Sequence, residues 1–195
     1  MRSIRRVVAL LATILPAAAM AQAPEASAVY LSAELGTGKV GFSCSAGMYC
    51  STVDSQLTLR AGYRIDASWA VEVMGSGISG DFGGWSESAK FYGLGLGAAY
   101  TLPLAPQVHT LLRFGGAFNR LEYQADWDFG QSKRDAATVR SVKPYVGLGL
   151  SWQFARHWST SLNADWTWAD MRRAANGPKE RVGVRTLGAG IAFHF

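Results

Sequence analysis

The stretch Trp158-Ser159-Thr160-Ser161-Leu162-Asn163-Ala164-Asp165-Trp166-Thr167-Trp168 decides the fold of this chain. Trp158, Thr160, Leu162, Ala164, Trp166 and Trp168 share one parity, and Ser159, Ser161, Asn163, Asp165 and Thr167 share the other. Successive side chains of an extended strand point to opposite faces, so the alternation describes a strand with one bulky apolar face and one small polar face.

The same pattern continues outward from this segment. Val146, Leu148, Leu150, Trp152 and Phe154 oppose Tyr145, Gly147, Gly149, Ser151 and Gln153. Leu57, Leu59, Ala61, Tyr63 and Ile65 oppose Thr58, Arg60, Gly62 and Arg64; Leu187, Ala189, Ile191, Phe193 and Phe195 oppose Gly188, Gly190, Ala192 and His194. Eight strands are expected, over residues 28–37, 54–65, 69–77, 88–102, 107–121, 140–154, 158–169 and 181–195. The links 66–68, 103–106 and 155–157 are short, whereas 38–53, 78–87, 122–139 and 170–180 are long and polar or glycine-rich. An even strand number then brings both termini to the short-turn side.

Composition decides which face points outward. Hydrophobic residues make up 49% of the chain, with seven Trp, nine Phe, seven Tyr and 22 Gly. Past the N-terminus, no stretch is apolar over the roughly 20 residues a membrane helix needs. The interior of an eight-stranded barrel is only just wide enough for side chains, so the bulky face would overfill it. Apolar outside and small polar inside is the arrangement of a barrel in lipid, where closure leaves no backbone edge unpaired in hydrocarbon. The expectation is an all-β, eight-stranded antiparallel transmembrane β-barrel with short periplasmic turns and long extracellular loops. Two aromatic girdles accompany it: Trp69, Tyr100, Phe154, Trp158, Phe193 and Phe195 near the short turns, and Trp85, Phe91, Tyr92, Trp166 and Trp168 near the long loops.

The N-terminus sets the compartment. Arg2, Arg5 and Arg6 precede an apolar run from Val7 to Ala19, and Ala19-Met20-Ala21 offers small residues where a signal peptidase reads. Residues 1–21 are therefore expected to be a cleaved signal peptide, and 22–195 one barrel domain. The run is too short for the rival reading, a membrane anchor. Losing the leader lowers the formal net charge from +5 to +2, so the basic balance is no nucleic-acid signal. Cys44 and Cys50 share one Gly/Ser-rich stretch of an exported chain, which favours a loop disulfide over a pair of free thiols. No histidine stands nearby to make them a metal site.

Gly62-Tyr63-Arg64-Ile65 followed by Trp69-Ala70-Val71-Glu72-Val73 resembles the second hairpin of the OmpA-like and OmpX-like family of small outer-membrane barrels, the porin-family barrels of Gram-negative bacteria. Tyr100-Thr101-Leu102-Pro103-Leu104 and Lys143-Pro144-Tyr145-Val146-Gly147-Leu148-Gly149 resemble the fourth and sixth strands of the same family. The terminal Phe195 resembles the signal read by the barrel-assembly machinery, which the resemblance thus implies as a partner during biogenesis. It also implies residence in the outer membrane among lipid and lipopolysaccharide. The sequence ends at the last strand, so the peptidoglycan tether of full-length OmpA proteins is not expected.

On the inward face stand Glu34, Arg60, Arg64, Glu72, Arg113 and Asp165, with Glu72 near Arg60 by cross-strand register. Charges away from water must be paired, so a lumen-filling network of salt bridges is expected, with a narrow ion path as the alternative. In the loops, Trp127 and Phe129 sit among Asp126, Asp128, Lys133 and Arg134, while Arg172 and Arg173 lie in the last loop. These suit solvated loops beside lipopolysaccharide phosphates or, on a sharper reading, anchors for an extracellular ligand or host surface. His109, His157 and His194 all fall at the short-turn end. The tempting spacing of His157 and Ser159 therefore lies away from outer-leaflet lipid, and no catalytic residue, cofactor or metal is expected. The glycine runs lie within strands and relieve crowding rather than bind phosphate.

The leading expectation is a monomeric, non-enzymatic surface barrel that supports envelope integrity or binds through its loops. A small low-conductance channel comes second and a lipid A-modifying enzyme third.

Overall fold

The alternation reaches the backbone as eight strands in the computed structural model: β1 (Val29–Gly41), β2 (Val53–Arg64), β3 (Trp69–Phe82), β4 (Glu87–Ala105), β5 (Val108–Trp127), β6 (Lys133–Ala155), β7 (Trp158–Met171) and β8 (Glu180–His194). Each pairs antiparallel with its sequence neighbour, and β1 pairs with β8 to close the barrel. The structure describes residues 28–41, 53–82, 87–127, 133–172 and 177–195, and leaves the side chains of 80–89, 124–127 and 133–136 aside. The leader 1–21, Cys44, Cys50, Trp85, Phe129 and Arg173 lie outside the described residues.

The bulky face points out. Leu35, Leu94, Leu162 and Leu187 are each at least 60% exposed, a surface that only lipid makes favourable. At the short-turn end Trp69 packs against Tyr100 at a tilt of 51° with centroids 4.7 Å apart, and Trp158 meets Phe193 edge-on at 4.9 Å. Tyr92, Trp166 and Trp168 are exposed at the other end. Phe91 departs from the expected girdle: it is only 2% exposed, inside the barrel. Its parity is that of Gly93 and Gly95, whose faces are inward, while Tyr92, Leu94 and Leu96 face lipid.

Strand length is the larger correction. The segment expected as loop 122–139 is mostly ladder, because pairing runs on to Trp127↔Lys133. The outward residues described here, Glu122 and Thr138, are polar, so the alternation that marks a lipid-facing strand is lost; on the inner face Tyr123, Ala137 and Val139 are buried. In the same way β3 runs to Phe82, β4 begins at Glu87, and β1 reaches Gly41. The short turns fall at the three expected places, but two are tighter than expected: strand continues through 103–105 and 155, so the turns are 106–107 and 156–157. In the first, Asp66 Oδ1 accepts the N–H groups of Ser68 at 2.7 Å and Trp69 at 2.8 Å, a side-chain cap suited to a tight connection.

The wall is interrupted between β6 and β7. The β6–β7 ladder stops at Tyr145↔Thr167, beside Pro144, which has no N–H to donate. Beyond it, β6 pairs with β5 alone. Side chains bridge the gap: Thr167 Oγ1 donates to Pro144 O at 2.9 Å, Lys143 Nζ meets Asp170 Oδ1 at 2.7 Å, and Asn119 Nδ2 donates to Trp168 O at 2.6 Å.

Candidate functional site

Glycines on the inner face decide what the lumen can hold. Tyr145 lies fully inside because Gly95, Gly97 and Gly115 face it; a Cβ on Gly97 would come 2.5 Å from the Tyr145 hydroxyl, and one on Gly115 2.7 Å from its ring. Gly190 likewise leaves room for Glu34, whose Cγ would lie 2.5 Å from an added Cβ. Gly147 makes way for Asp165, and Gly62 for the Tyr30 ring. The glycine runs thus relieve crowding around large inward side chains.

Three layers follow along the lumen. At the short-turn end is a cavity of about 270 Å³, with Arg64, His109, Ser159 and His194 in its wall. Next comes the charged layer. Arg60 Nε donates to Glu34 Oε1 at 2.9 Å, and Arg60 Nη2 reaches Asp165 Oδ2 at 2.5 Å. Arg113 Nε donates to Glu72 Oε2 at 2.9 Å and its Nη1 to Asn163 Oδ1 at 2.7 Å, while the Tyr30 hydroxyl donates to Glu72 Oε1 at 2.5 Å. Glu34, Glu72, Arg60 and Arg113 are each at most 5% exposed. At the loop end, Val40, Ile78, Phe91, Leu121, Met171, Val182 and Val184 form an apolar cluster. Between charges and cluster remains a void of about 20 Å³, lined by Tyr145 and Asp165 and large enough for one water.

Five of the six expected lumen charges meet in this layer, with pairing that differs from the register expectation. Arg60 stands opposite Met74, and Glu72 opposite Gly62. The ion-pair partner of Glu72 is Arg113 on β5, and Arg60 takes Glu34 and Asp165. Arg64 stands apart, its guanidinium 5.7 Å from the Tyr30 ring centroid. Tyr30 and Asn163 complete the network but carry no charge, and inward parity is the signal the sequence holds for them. Ser159 Oγ is 2.9 Å from His194 Nε2 on the adjacent strand, so its partner is not His157, whose Nδ1 donates to the His194 carbonyl at 2.6 Å. Trp127 ends β5 and is placed by its backbone; Arg172 follows β7 and is partly buried. Phe195 is exposed, meets Phe193 edge-on at 5.0 Å, and its N–H donates to Val29 O at 3.1 Å. Among the described residues no group of three or more His, Cys, Asp or Glu could hold a metal ion.

A closed eight-stranded barrel with an apolar wall, aromatic girdles and a lumen filled by paired charges defines a class: the small membrane-spanning β-barrels. The chain belongs to the outer membrane protein beta-barrel domain family, whose profile matches residues 7–195, and it is a protein of the outer membrane. The short turns are then periplasmic and the long hairpins extracellular.

Solved structures agree on the fold. Neisserial surface protein A (NspA) superposes with a TM-score of 0.66 at 20% identity, over 87% of this chain and 99% of that one. The outer membrane protein OprG of Pseudomonas aeruginosa gives 0.54 at 14% identity, over 87% and 97%. Ail, the attachment invasion locus protein of Yersinia pestis, gives 0.53 at 15% identity, over 86% and 99%. No curated protein matches the chain.

Proposed function

We propose that this protein is a non-enzymatic surface barrel that acts through its extracellular hairpins, above all the one formed by β5 and β6. The carrying observation is the length of those strands, 20 and 23 residues. A tilted strand crosses the bilayer in about 9–11 residues. The outward face changes from apolar Phe118 and Val142 to exposed Arg120 and Arg140, which stand opposite each other in the ladder. Residues 120–127 and 133–140 therefore carry the hairpin roughly 25 Å further, at about 3.3 Å per residue. Past the side-chain contacts at 141–144, residues 133–140 of β6 have no ladder partner in β7, and such an edge is suited to strand addition by a partner. Exposed Lys39, Lys90, Arg120, Arg140 and Arg185 mark the extracellular border of the apolar wall, where guanidinium and ammonium groups suit the phosphates of lipopolysaccharide. Ail is an attachment invasion locus protein and NspA a surface protein, and the likeness in fold supports a surface role here.

The test separates adhesion from envelope support. In cells lacking the gene, the full chain is compared with one in which residues 124–136 are replaced by Asn-Gly. The trimmed barrel is expected to restore resistance to detergent but not retention of cells on an extracellular-matrix coat. Full retention with the trimmed barrel would remove the hairpin from the function.

The channel reading makes the opposite demand on the lumen. With the charged layer and the apolar cluster in series, folded protein in a planar bilayer is expected to give no reproducible current steps. Steps that change in Arg60→Met or Glu72→Gln protein would restore a conducting lumen as the function.

A further inference from the structure

The two ends of the lumen differ in charge balance. In the charged layer three carboxylates, Glu34, Glu72 and Asp165, face the guanidiniums of Arg60 and Arg113. The periplasmic cavity is the reverse: no Asp or Glu is among its lining residues, whereas Arg64, His109, Arg113 and His194 are. Five Ser and Thr hydroxyls share that wall, among them Ser151, Ser159 and Thr101. Arg113 is engaged by Glu72 and Asn163. No carboxylate among the described residues pairs with Arg64, which has the Tyr30 ring as its neighbour.

We propose that this cavity is a binding site for a small tetrahedral oxyanion of the phosphate type, entered from the periplasm. A cation withdrawn from bulk water calls for a counter-charge, and guanidinium is the side chain best shaped to hold a phosphate through paired N–H donors. Hydroxyls and imidazole N–H groups around it supply further donors to the remaining oxygens. The volume of about 270 Å³ exceeds that of a water molecule several-fold. Ala67 and Pro106 of the short turns line the cavity, so it reaches the periplasmic end of the barrel, and the charged layer bounds it on the other side. The site goes beyond the hairpin function and sits at the opposite end of the molecule. Its ligand is either a free periplasmic phosphate or the headgroup phosphate of an inner-leaflet lipid, since both present the same oxygens.

The test is phosphorus NMR of inorganic phosphate with the refolded full chain in alkyl-maltoside micelles, which contain no phosphate. Wild-type protein is expected to broaden the phosphate line in a saturable way. Arg64→Gln is expected to weaken binding at least tenfold, and Lys179→Gln, an exposed loop position, to leave it unchanged. His109→Asn probes the facing wall and takes the place of Arg64→Gln should that variant fail to migrate as folded protein in unheated electrophoresis. Addition of phosphatidylglycerol then separates the sources: displacement of phosphate identifies a lipid headgroup as the ligand, and undiminished binding identifies the free ion. No saturable broadening by wild-type protein, or equal broadening by folded variants of the cavity wall, overturns the site.

Discussion

Gly36→Val is expected to leave the barrel unable to close. Gly36 stands opposite Gly188 in the seam where β1 meets β8. A Cβ at this position would run into Leu187 O and Gly188 Cα and lie 2.8 Å from Leu187 C. These are backbone atoms of the partner strand, so no rotamer change relieves the contact. Overpacking of a well-packed interior typically costs about 1–3 kcal/mol, and a clash with backbone belongs at or above the top of that range. The seam joins the two ends of the chain, and a seam that stays open leaves two strand edges unpaired in hydrocarbon. Refolding into lipid vesicles, followed by electrophoresis without heating, reads the outcome as loss of the compact fast-migrating band. Gly116→Val is the control: nothing lies within 4 Å of its added Cβ, and it is expected to fold as wild type. Equal folded yields for the two variants would mean that the seam shifts freely to take a side chain.

Glu72→Ala is expected to destabilise the barrel by about 3–5 kcal/mol, the cost of removing one partner of a buried ion pair. The residue left behind is Arg113, 5% exposed, with the Tyr30 hydroxyl deprived of its acceptor as well. The cost arises from the abandoned charge more than from the lost attraction, so the double variant Glu72→Met with Arg113→Leu is expected to recover most of the stability. Reversible urea unfolding in lipid vesicles measures both. A single variant as stable as wild type would mean that water reaches Arg113 freely, and the lumen would then be wet at the charged layer.

These two positions show how unevenly the sequence discloses the molecule. The inward parity of Glu72 and Arg113 was legible from the alternation along β3 and β5; their partnership was not. Neighbours in the ladder are local to a hairpin, and Glu72 faces Gly97 on β4 while Arg113 faces Ala99. The two meet over β4, which at that height presents nothing larger than the hydrogen of Gly97 and the methyl of Ala99, and no sequence distance encodes this. Arg60 is the same case on a larger scale, since it joins Glu34 on β1 to Asp165 on β7. The extended β5–β6 hairpin is hidden in the sequence for a different reason. Once a strand leaves lipid its outer face turns polar, and among the described side chains of this segment the inner face keeps Tyr123, Ala137 and Val139 buried.

Alternation is a property of each strand alone, because the pleat sends successive side chains to opposite faces whatever the strand pairs with. The sequence by itself therefore determined the strands, their number, the apolar wall and the set of residues turned inward. Closure brings strands far apart in sequence side by side at a stagger set by the whole barrel. Only the tertiary structure could decide which acid meets which base, where glycines open the lumen, and that Arg64 shares a carboxylate-free cavity with His109 and His194.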